Sequence, residues 1–131
     1  MSKTINQTKL PMPNLIFKNI NDDKRYMLKD KRGVYVVFVD TICIYVGASL
    51  NLYVRTSRIF NKSCNIHENA VVNSMLIKIL KHSKDIRIYI FFRHTNEQVL
   101  FLEQRLIQEL EPYINKVGIP LERRHILPLG V

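Results

Sequence analysis

The sequence predicts an α/β fold, in which a small β-sheet is flanked by helices. Two runs dense in β-branched and aromatic residues, 33–39 and 42–46, are separated by a short polar pair and predict an antiparallel hairpin. Residues 68–82 carry apolar side chains at helical spacing, and 86–91 alternate in the manner of a third strand. Residues 95–115 return to helical spacing. At 131 residues, the chain is expected to form a single domain.

Composition narrows the class of partner. With 20 Lys and Arg against 11 Asp and Glu, the net charge is +9 and the pI about 9.8, which favours partners that carry phosphate or other anionic groups. Cys43 and Cys64 form no CxxC pair, so neither a zinc site nor a disulfide framework is predicted. No apolar run approaches a membrane span, and we expect an intracellular, cytoplasmic protein that does not contact membranes.

Residues 1–30 are predicted to be a basic N-terminal arm. Pro11 and Pro13 exclude an early helix, and residues 14–20 suit a short strand or turn against the core. Basic arms are usually solvated, and contact with DNA is the alternative.

The predicted hairpin carries two tyrosines. Because side chains alternate along a strand, Tyr35, Val37 and Val39 are expected to share one face, and Cys43 and Tyr45 one face of the second strand. If the register brings those faces together, the two phenols lie close to each other. Ordinary strand tyrosines are the more frequent explanation of such a pair.

Ser49 or Asn51 can cap a helix that ends near Phe60. Basic residues recur along this helix at i, i+3 and i+7, namely Arg55, Arg58 and Lys62. Such a stripe is either a solvated face or a means of holding phosphates.

Glu103 lies on the last predicted helix, which opens on the capping-box pair Thr95 and Gln98 and closes before Pro112. Helical geometry places it in the middle of an apolar arc formed by Val99, Leu100, Leu102, Leu106, Ile107 and Leu110. A buried carboxylate must be paired, hydrogen-bonded, protonated or bound to a cation. A structural ion pair is the simplest of these explanations.

Five short elements follow one another in a specific order: Gly33-Val34-Tyr35, Tyr45-Val46-Gly47, Arg55, Glu103 and Asn115. In this order and spacing they resemble the GIY-YIG nuclease signature. The resemblance covers residues 31–118 and leaves 119–131 as a C-terminal tail. It implies a single domain with a three-stranded antiparallel sheet flanked by helices.

The resemblance also implies cleavage of DNA phosphodiester bonds with Mg²⁺ or Mn²⁺. By motif match, Tyr35 would be the general base and Tyr45 would support it. Arg55 would hold the scissile phosphate, Glu103 the metal ion, and Asn115 the local structure of the site. A phenol becomes a useful base only if nearby cations lower its pKa from about 10.

One position departs from the family pattern. Four residues after the arginine the family commonly carries a His or Tyr, and here that residue is Ile59. Arg58 or His67 would have to substitute for it in proton transfer, or the activity is weak.

The chain ends soon after Asn115, and we therefore expect a compact restriction-like, phage-type or repair-type endonuclease. Cleavage of both DNA strands would call for a homodimer or a higher homo-oligomer, for which the apolar tail is a candidate interface. Two alternatives remain open. One is a catalytically weak or inactive nucleic-acid-binding module on the same fold, and the other is a basic interaction protein in which Glu103 forms a buried ion pair.

Overall fold

The computed structural model describes residues 10–19, 24–60, 70–82 and 85–114. Within these ranges the chain forms a small mixed α/β domain with one antiparallel sheet, in the strand order β1-β4-β2-β3. The strands are β1 (Leu15–Lys18), β2 (Gly33–Val39), β3 (Ile42–Ser49) and β4 (Ile86–Phe92), and the helices are α1 (Leu52–Phe60), α2 (Ala70–His82) and α3 (Asn96–Leu110).

The sheet has four strands in the described part of the chain, so the expectation of three is wrong. The additional strand, β1, pairs antiparallel with β4 and lies within the segment predicted as a basic arm. Phe17 anchors it, because its side chain is buried and packs edge-on against Phe60 with ring centroids 5.2 Å apart. Asn14 extends the pairing, since its side-chain oxygen accepts a hydrogen bond from the Phe92 N–H at 2.8 Å.

The predicted hairpin of β2 and β3 is confirmed. Its turn residues, Asp40 and Thr41, have φ angles of 51° and 69°. Positive φ at both central residues is what a two-residue type I′ turn requires, and this turn matches the right-handed twist of the strands.

A β-bulge at Ile44 changes which residues of β3 share a face. Val37 is opposite Tyr45 and Phe38 is opposite Cys43, so Ile44 is an extra residue in the second strand. Ile44 and Tyr45 therefore both join the core on one side, while Cys43 joins the core on the other. The expectation that Cys43 and Tyr45 share a face is wrong, because strict alternation stops at the bulge.

The sheet buries a separate apolar cluster on each face. Beneath α3, the buried residues of the helix are Val99, Leu102, Leu106 and Leu110. On the opposite face, α1 contributes Leu52 and Ile59, and α2 contributes Leu76 and Leu80. The side chains of β2 alternate between the two clusters, as predicted for Tyr35, Val37 and Val39.

The helix ends follow the predicted signals. Asn51 caps α1, because its side-chain oxygen accepts from the Val54 N–H at 3.3 Å. Thr95 and Gln98 form a complete capping box at the start of α3. After Leu110, Glu111 takes a left-handed φ of 47°, and Pro112 follows.

Among the helices described, none has the length and apolar character needed to cross a membrane.

Candidate active site

Tyr35 and Tyr45 lie together on the face of the sheet covered by α1. Both side chains are fully buried, with their ring centroids 6.1 Å apart and their planes inclined by 45°. Their hydroxyl groups share a hydrogen bond. The two phenols lie close together because the bulge at Ile44, and not strict alternation, places Tyr45 on this face.

The absence of a side chain at Gly47 leaves room for the Tyr35 ring. The two residues are opposite each other in the hairpin, and a Cβ added to Gly47 would lie 2.3 Å from Cζ and 2.4 Å from the hydroxyl oxygen of Tyr35. No side chain larger than hydrogen fits beneath this ring. The glycine of the second motif therefore lets the phenol lie across β3, which is an edge strand of the sheet.

Burial dominates the ionisation of both phenols. It raises the pKa of Tyr35, while the neighbouring Arg55 lowers it, Glu103 raises it, and Tyr45 and Arg58 lower it. Burial also raises the pKa of Tyr45, with further increases from Tyr35 and Glu103 and a decrease from Arg55. The expected lowering by basic side chains thus occurs at Tyr35, but burial outweighs it.

The shared hydrogen bond has opposite effects on the two phenols. It lowers the pKa of Tyr35 and raises that of Tyr45. This is the pattern expected when Tyr45 donates its proton to the oxygen of Tyr35, because such a bond favours the ionised form of the acceptor. Tyr35 is therefore the phenol of the pair that is better suited to carry a negative charge.

Helix α1 brings two cations toward the phenols. Its buried stripe is formed by Leu52, Thr56 and Ile59. Arg55 and Arg58 are one turn apart beside this stripe, and both are half-buried. Since each lowers the pKa of Tyr35, the structure places both guanidinium groups near that phenol.

Ile59 belongs to the core. It is fully buried in the cluster beneath α1, so the position at which the resemblance implies a His or Tyr has a packing role here. The side chain can neither donate nor accept a proton.

Glu103 lies at the edge of the buried face of α3, and not in its middle as expected. Its side chain is half-buried, and Leu100, on the same flank, is exposed. The helix buries only the narrower stripe that packs against the sheet, so the outer flank of the predicted arc remains accessible. Even there, desolvation raises the pKa of the Glu103 carboxyl to about 7.

The Glu103 carboxylate approaches the tyrosines from the other helix layer. It raises the pKa values of Tyr35 and Tyr45, which places it near both phenols. In the ranges that the structure describes, two salt bridges are found, Arg87 with Asp85 and Arg105 with Glu109. Neither involves Glu103, so the described residues give no support to the alternative of a buried ion pair.

The oxygen donors at this site suit a hard cation. The described residues contain no cluster of three or more His, Cys, Asp or Glu side chains. Mg²⁺ and Mn²⁺ are bound through oxygen, and Mg²⁺ keeps several waters while accepting one or two carboxylates. A desolvated carboxylate beside phenol oxygens, as at Glu103, is compatible with that chemistry.

Several predicted residues cannot be placed. Asn115, Lys62, His67, Cys64 and the tail 119–131 lie outside the described ranges. Cys43 has a free, buried thiol in the cluster beneath α3, and burial raises its pKa to about 12. Such a thiol is a core residue and not a nucleophile.

Comparison with known proteins gives one partial similarity. Over 88 residues, 67% of this chain, the sequence is 32% identical to UvrABC system protein C of Fusobacterium nucleatum subsp. nucleatum. The chain spans only 13% of the length of that relative. No family model matches the chain.

Proposed function

We propose that this chain is a divalent-metal-dependent endonuclease of the GIY-YIG type that hydrolyses DNA phosphodiester bonds. The observation that carries the proposal is the meeting of two hydrogen-bonded phenols, two arginines and a desolvated carboxylate at one place on the sheet. The similarity to a segment of UvrABC system protein C is a second support. A repair-type enzyme is one member of the proposed class. Restriction-like and phage-type enzymes are the other members of the proposed class.

Tyr35 is the proposed general base. Its oxygen accepts a proton from the attacking water as the water oxygen bonds to phosphorus and the bond to the leaving oxygen breaks. Tyr45 assists by donating its hydrogen bond to Tyr35, which stabilises the phenolate. Because burial keeps the pKa of Tyr35 high, this base requires positive charge nearby before it can act at neutral pH.

Arg55 and Arg58 supply part of that charge. Both guanidinium groups lie where they favour an ionised Tyr35, and a phosphate at the same place would receive their hydrogen bonds. In this proposal Arg55 holds the scissile phosphate, and Arg58, with Lys62, contacts the neighbouring backbone. The negative charge that grows on the phosphate is stabilised in the same way.

Glu103 is the proposed ligand for Mg²⁺ or Mn²⁺. Its carboxylate must be ionised to bind a cation, and a bound cation would offset the desolvation that raises its pKa to about 7. When bound, the ion would supply positive charge to the phosphate oxygens and the leaving group. Asn115 is proposed to hold the local structure, and a homodimer would present one site to each DNA strand.

The direct test is cleavage of supercoiled plasmid by the purified chain, with and without Mg²⁺ or Mn²⁺. Nicking that requires the metal is expected for the wild type, and Tyr35→Phe and Glu103→Gln should each lose about 100-fold or more in rate. The matched control is Glu109→Gln, which removes a carboxylate from the same helix but leaves the phenols untouched. Equal cleavage by the wild type and Glu103→Gln would contradict the assignment of the metal ligand.

Burial of Ile59 favours a second candidate function. Without a proton-transfer group at this position, the fold would bind nucleic acid and cleave it weakly or not at all. Salt-sensitive DNA binding without metal-dependent nicking would support this binding module. His67 and Arg58 are the candidate substitutes. Loss of nicking in His67→Ala with unchanged DNA binding would assign proton transfer to His67, and full nicking by that variant would leave Arg58.

A further inference from the structure

Three basic side chains gather at the end of the sheet where β2 begins and β4 ends. Gly33 and Phe92 are opposite each other in these strands, and the N–H of Arg93 donates to the carbonyl of Arg32 at 3.0 Å. Lys31 is close by, since its Nζ lies 5.7 Å from the ring centroid of Phe92. We call the surface formed by Lys31, Arg32 and Arg93 the sheet-end patch.

Neutral groups hold the two arginines of the patch. Arg32 Nη1 donates to the side-chain oxygen of Asn96, the first residue of α3, at 2.7 Å. Arg93 Nη1 donates to the carbonyl oxygen of Phe92 at 2.6 Å. Both contacts fix the position of a guanidinium group without neutralising its charge, and each leaves donors for a further acceptor.

The acidic residues that border the patch do not neutralise it. Asp30 precedes Lys31, and Glu97 follows Asn96, but neither takes part in the salt bridges found among the described residues. Lys31 and Arg32 are exposed, and Arg93 is half-buried. The positive charge of the patch is therefore available to an anion in solution.

The patch borders the candidate active site. Tyr35 is two residues beyond Gly33 in β2, which is about 7 Å along a strand. The carbonyl of Lys31 accepts a hydrogen bond from the N–H of Leu52, the first residue of α1, at 2.9 Å. Arg55 follows one turn later on the same helix.

We propose that the sheet-end patch is a second contact surface for the phosphate backbone of DNA, adjoining the candidate active site. Arginine and lysine groups that are held in place but uncompensated suit phosphate oxygens, and such contacts position a duplex without reading its sequence. Because the patch begins about 7 Å along β2 from Tyr35, it would contact the backbone close to the cleaved bond. The inference depends on the proposed function only in its choice of DNA.

The test is the salt dependence of binding to a short fluorescent DNA duplex, measured without divalent metal so that no cleavage is needed. Lys31→Gln/Arg93→Gln removes two charges from the patch and leaves the contact between Arg32 and Asn96 intact. The matched control, Arg87→Gln/Arg105→Gln, also removes two charges, from arginines paired with Asp85 and Glu109. Arg87 lies at the opposite end of β4.

Two lost phosphate contacts reduce the slope of log affinity against log salt by about 1.8. Between about 50 and 200 mM salt, the wild type should therefore lose about 12-fold more affinity than Lys31→Gln/Arg93→Gln. The control variant should keep the salt dependence of the wild type. Circular dichroism and thermal unfolding would confirm that all three proteins are folded.

Equal weakening in both double variants would overturn the proposal, because net charge alone would then explain binding. Unchanged DNA binding by Lys31→Gln/Arg93→Gln would overturn it as well. If this variant kept its DNA binding but lost binding to phosphatidylserine vesicles or to polyglutamate, the patch would be a surface for membranes or acidic proteins and not for DNA. A plasmid that is never cut, together with the expected salt result, would contradict the nuclease and leave the patch as a DNA-binding surface. The two proposals can therefore fail separately.

Discussion

The two faces of the sheet are built from the same strands but bury different chemistry. Beneath α3, the fully buried side chains of the strands are apolar or a thiol, and Tyr89 is partly buried beside them: the buried set is Val34, Val36, Phe38, Cys43, Val46, Ala48 and Phe91. On the face covered by α1, they bury two hydrogen-bonded phenols near Arg55 and Glu103. Neighbouring residues of β2 thus point to opposite faces of the sheet: Val34 packs beneath α3, and Tyr35 belongs to the candidate active site.

Residues of one strand thus contribute to stability on one face of the sheet and to the candidate active site on the other. Burial of apolar side chains beneath α3 stabilises the fold at little electrostatic cost. Burial of phenols and a carboxylate on the other side raises their pKa values and so opposes their ionisation. A charged ligand bound beside such groups changes their ionisation strongly, which is typical of functional sites. Substitutions on the two faces should therefore affect different measurements.

The largest loss of stability is expected from Phe38→Ala, on the face beneath α3. Phe38 is almost completely buried and packs against Tyr89 with ring centroids 5.1 Å apart. Truncating a buried phenylalanine costs about 3–5 kcal/mol in the free energy of unfolding. Urea unfolding measures this loss, and the DNA cleavage rate per folded molecule should not change.

Phe38→Leu keeps the comparison testable if the alanine variant does not fold. It should lose less stability and retain full cleavage activity at temperatures where it is folded. A fall in activity without a fall in stability would mean that the two faces are not independent.

A smaller loss of stability, with a large loss of activity, is expected from Gly47→Ala. The added methyl group would lie 2.3 Å from Cζ of Tyr35, so the buried ring has to move. Overpacking of this kind costs about 1–3 kcal/mol, and a displacement of about 1 Å at a reacting group can lower a rate about 100-fold. Unfolding and cleavage assays measure the two effects separately.

The neighbouring residue provides the control. Ala48 faces the cluster beneath α3, and Ala48→Gly should cost about 0.5–1 kcal/mol without moving Tyr35. Equal cleavage by Gly47→Ala and the wild type would show that the position of the Tyr35 ring does not matter for the reaction.

The features that could be predicted from sequence are those with a repeating or positional signal. The hairpin and the capping box of α3 follow from the run of β-branched and aromatic residues and from the positions of Thr95 and Gln98. The sequence predicts residues 14–20 only as a short strand or turn, because four residues at the edge of a sheet carry almost no periodic signal, and β1 forms within them. It forms because Phe17 finds an aromatic partner on α1, which is a tertiary effect.

The geometry of the candidate site depends on features that sequence patterns do not reveal. Nothing in the composition of β3 marks Ile44 as a bulge, yet the bulge turns Tyr45 to the face of Tyr35, whereas strict alternation would leave it on the face of Cys43. The position of Glu103 differs from the prediction because helical geometry gives the angle of a residue but not the width of the surface that packs against it. The sheet-end patch is assembled from residues about 60 positions apart in sequence, and only the pairing of β2 with β4 brings them together.

The smallest effect, and the most specific to this site, is the pH dependence of stability caused by Glu103. Its pKa is raised from 4.5 to about 7, so the folded state binds more protons than the unfolded state between these values. The penalty for the buried carboxylate is therefore absent below pH 4.5, grows as pH rises through this window and is complete above pH 7. For a half-buried group we expect a penalty of about 1–2 kcal/mol at pH 8.

Glu103→Gln should consequently be more stable than the wild type at pH 8 and equal to it at pH 4, as measured by urea unfolding. Glu109→Gln, on the same helix, should change stability by only about 0.5 kcal/mol, through the loss of its pair with Arg105. If Glu103 holds a cation, Mg²⁺ or Mn²⁺ should raise the melting temperature of the wild type at pH 8. The increase should be smaller below pH 7 and absent in Glu103→Gln. Lower stability of Glu103→Gln at pH 8 would show that Glu103 contributes to the stability of the fold. Higher stability would mean that the chain keeps a destabilising carboxylate beside its phenols, as expected of a group retained for binding or catalysis.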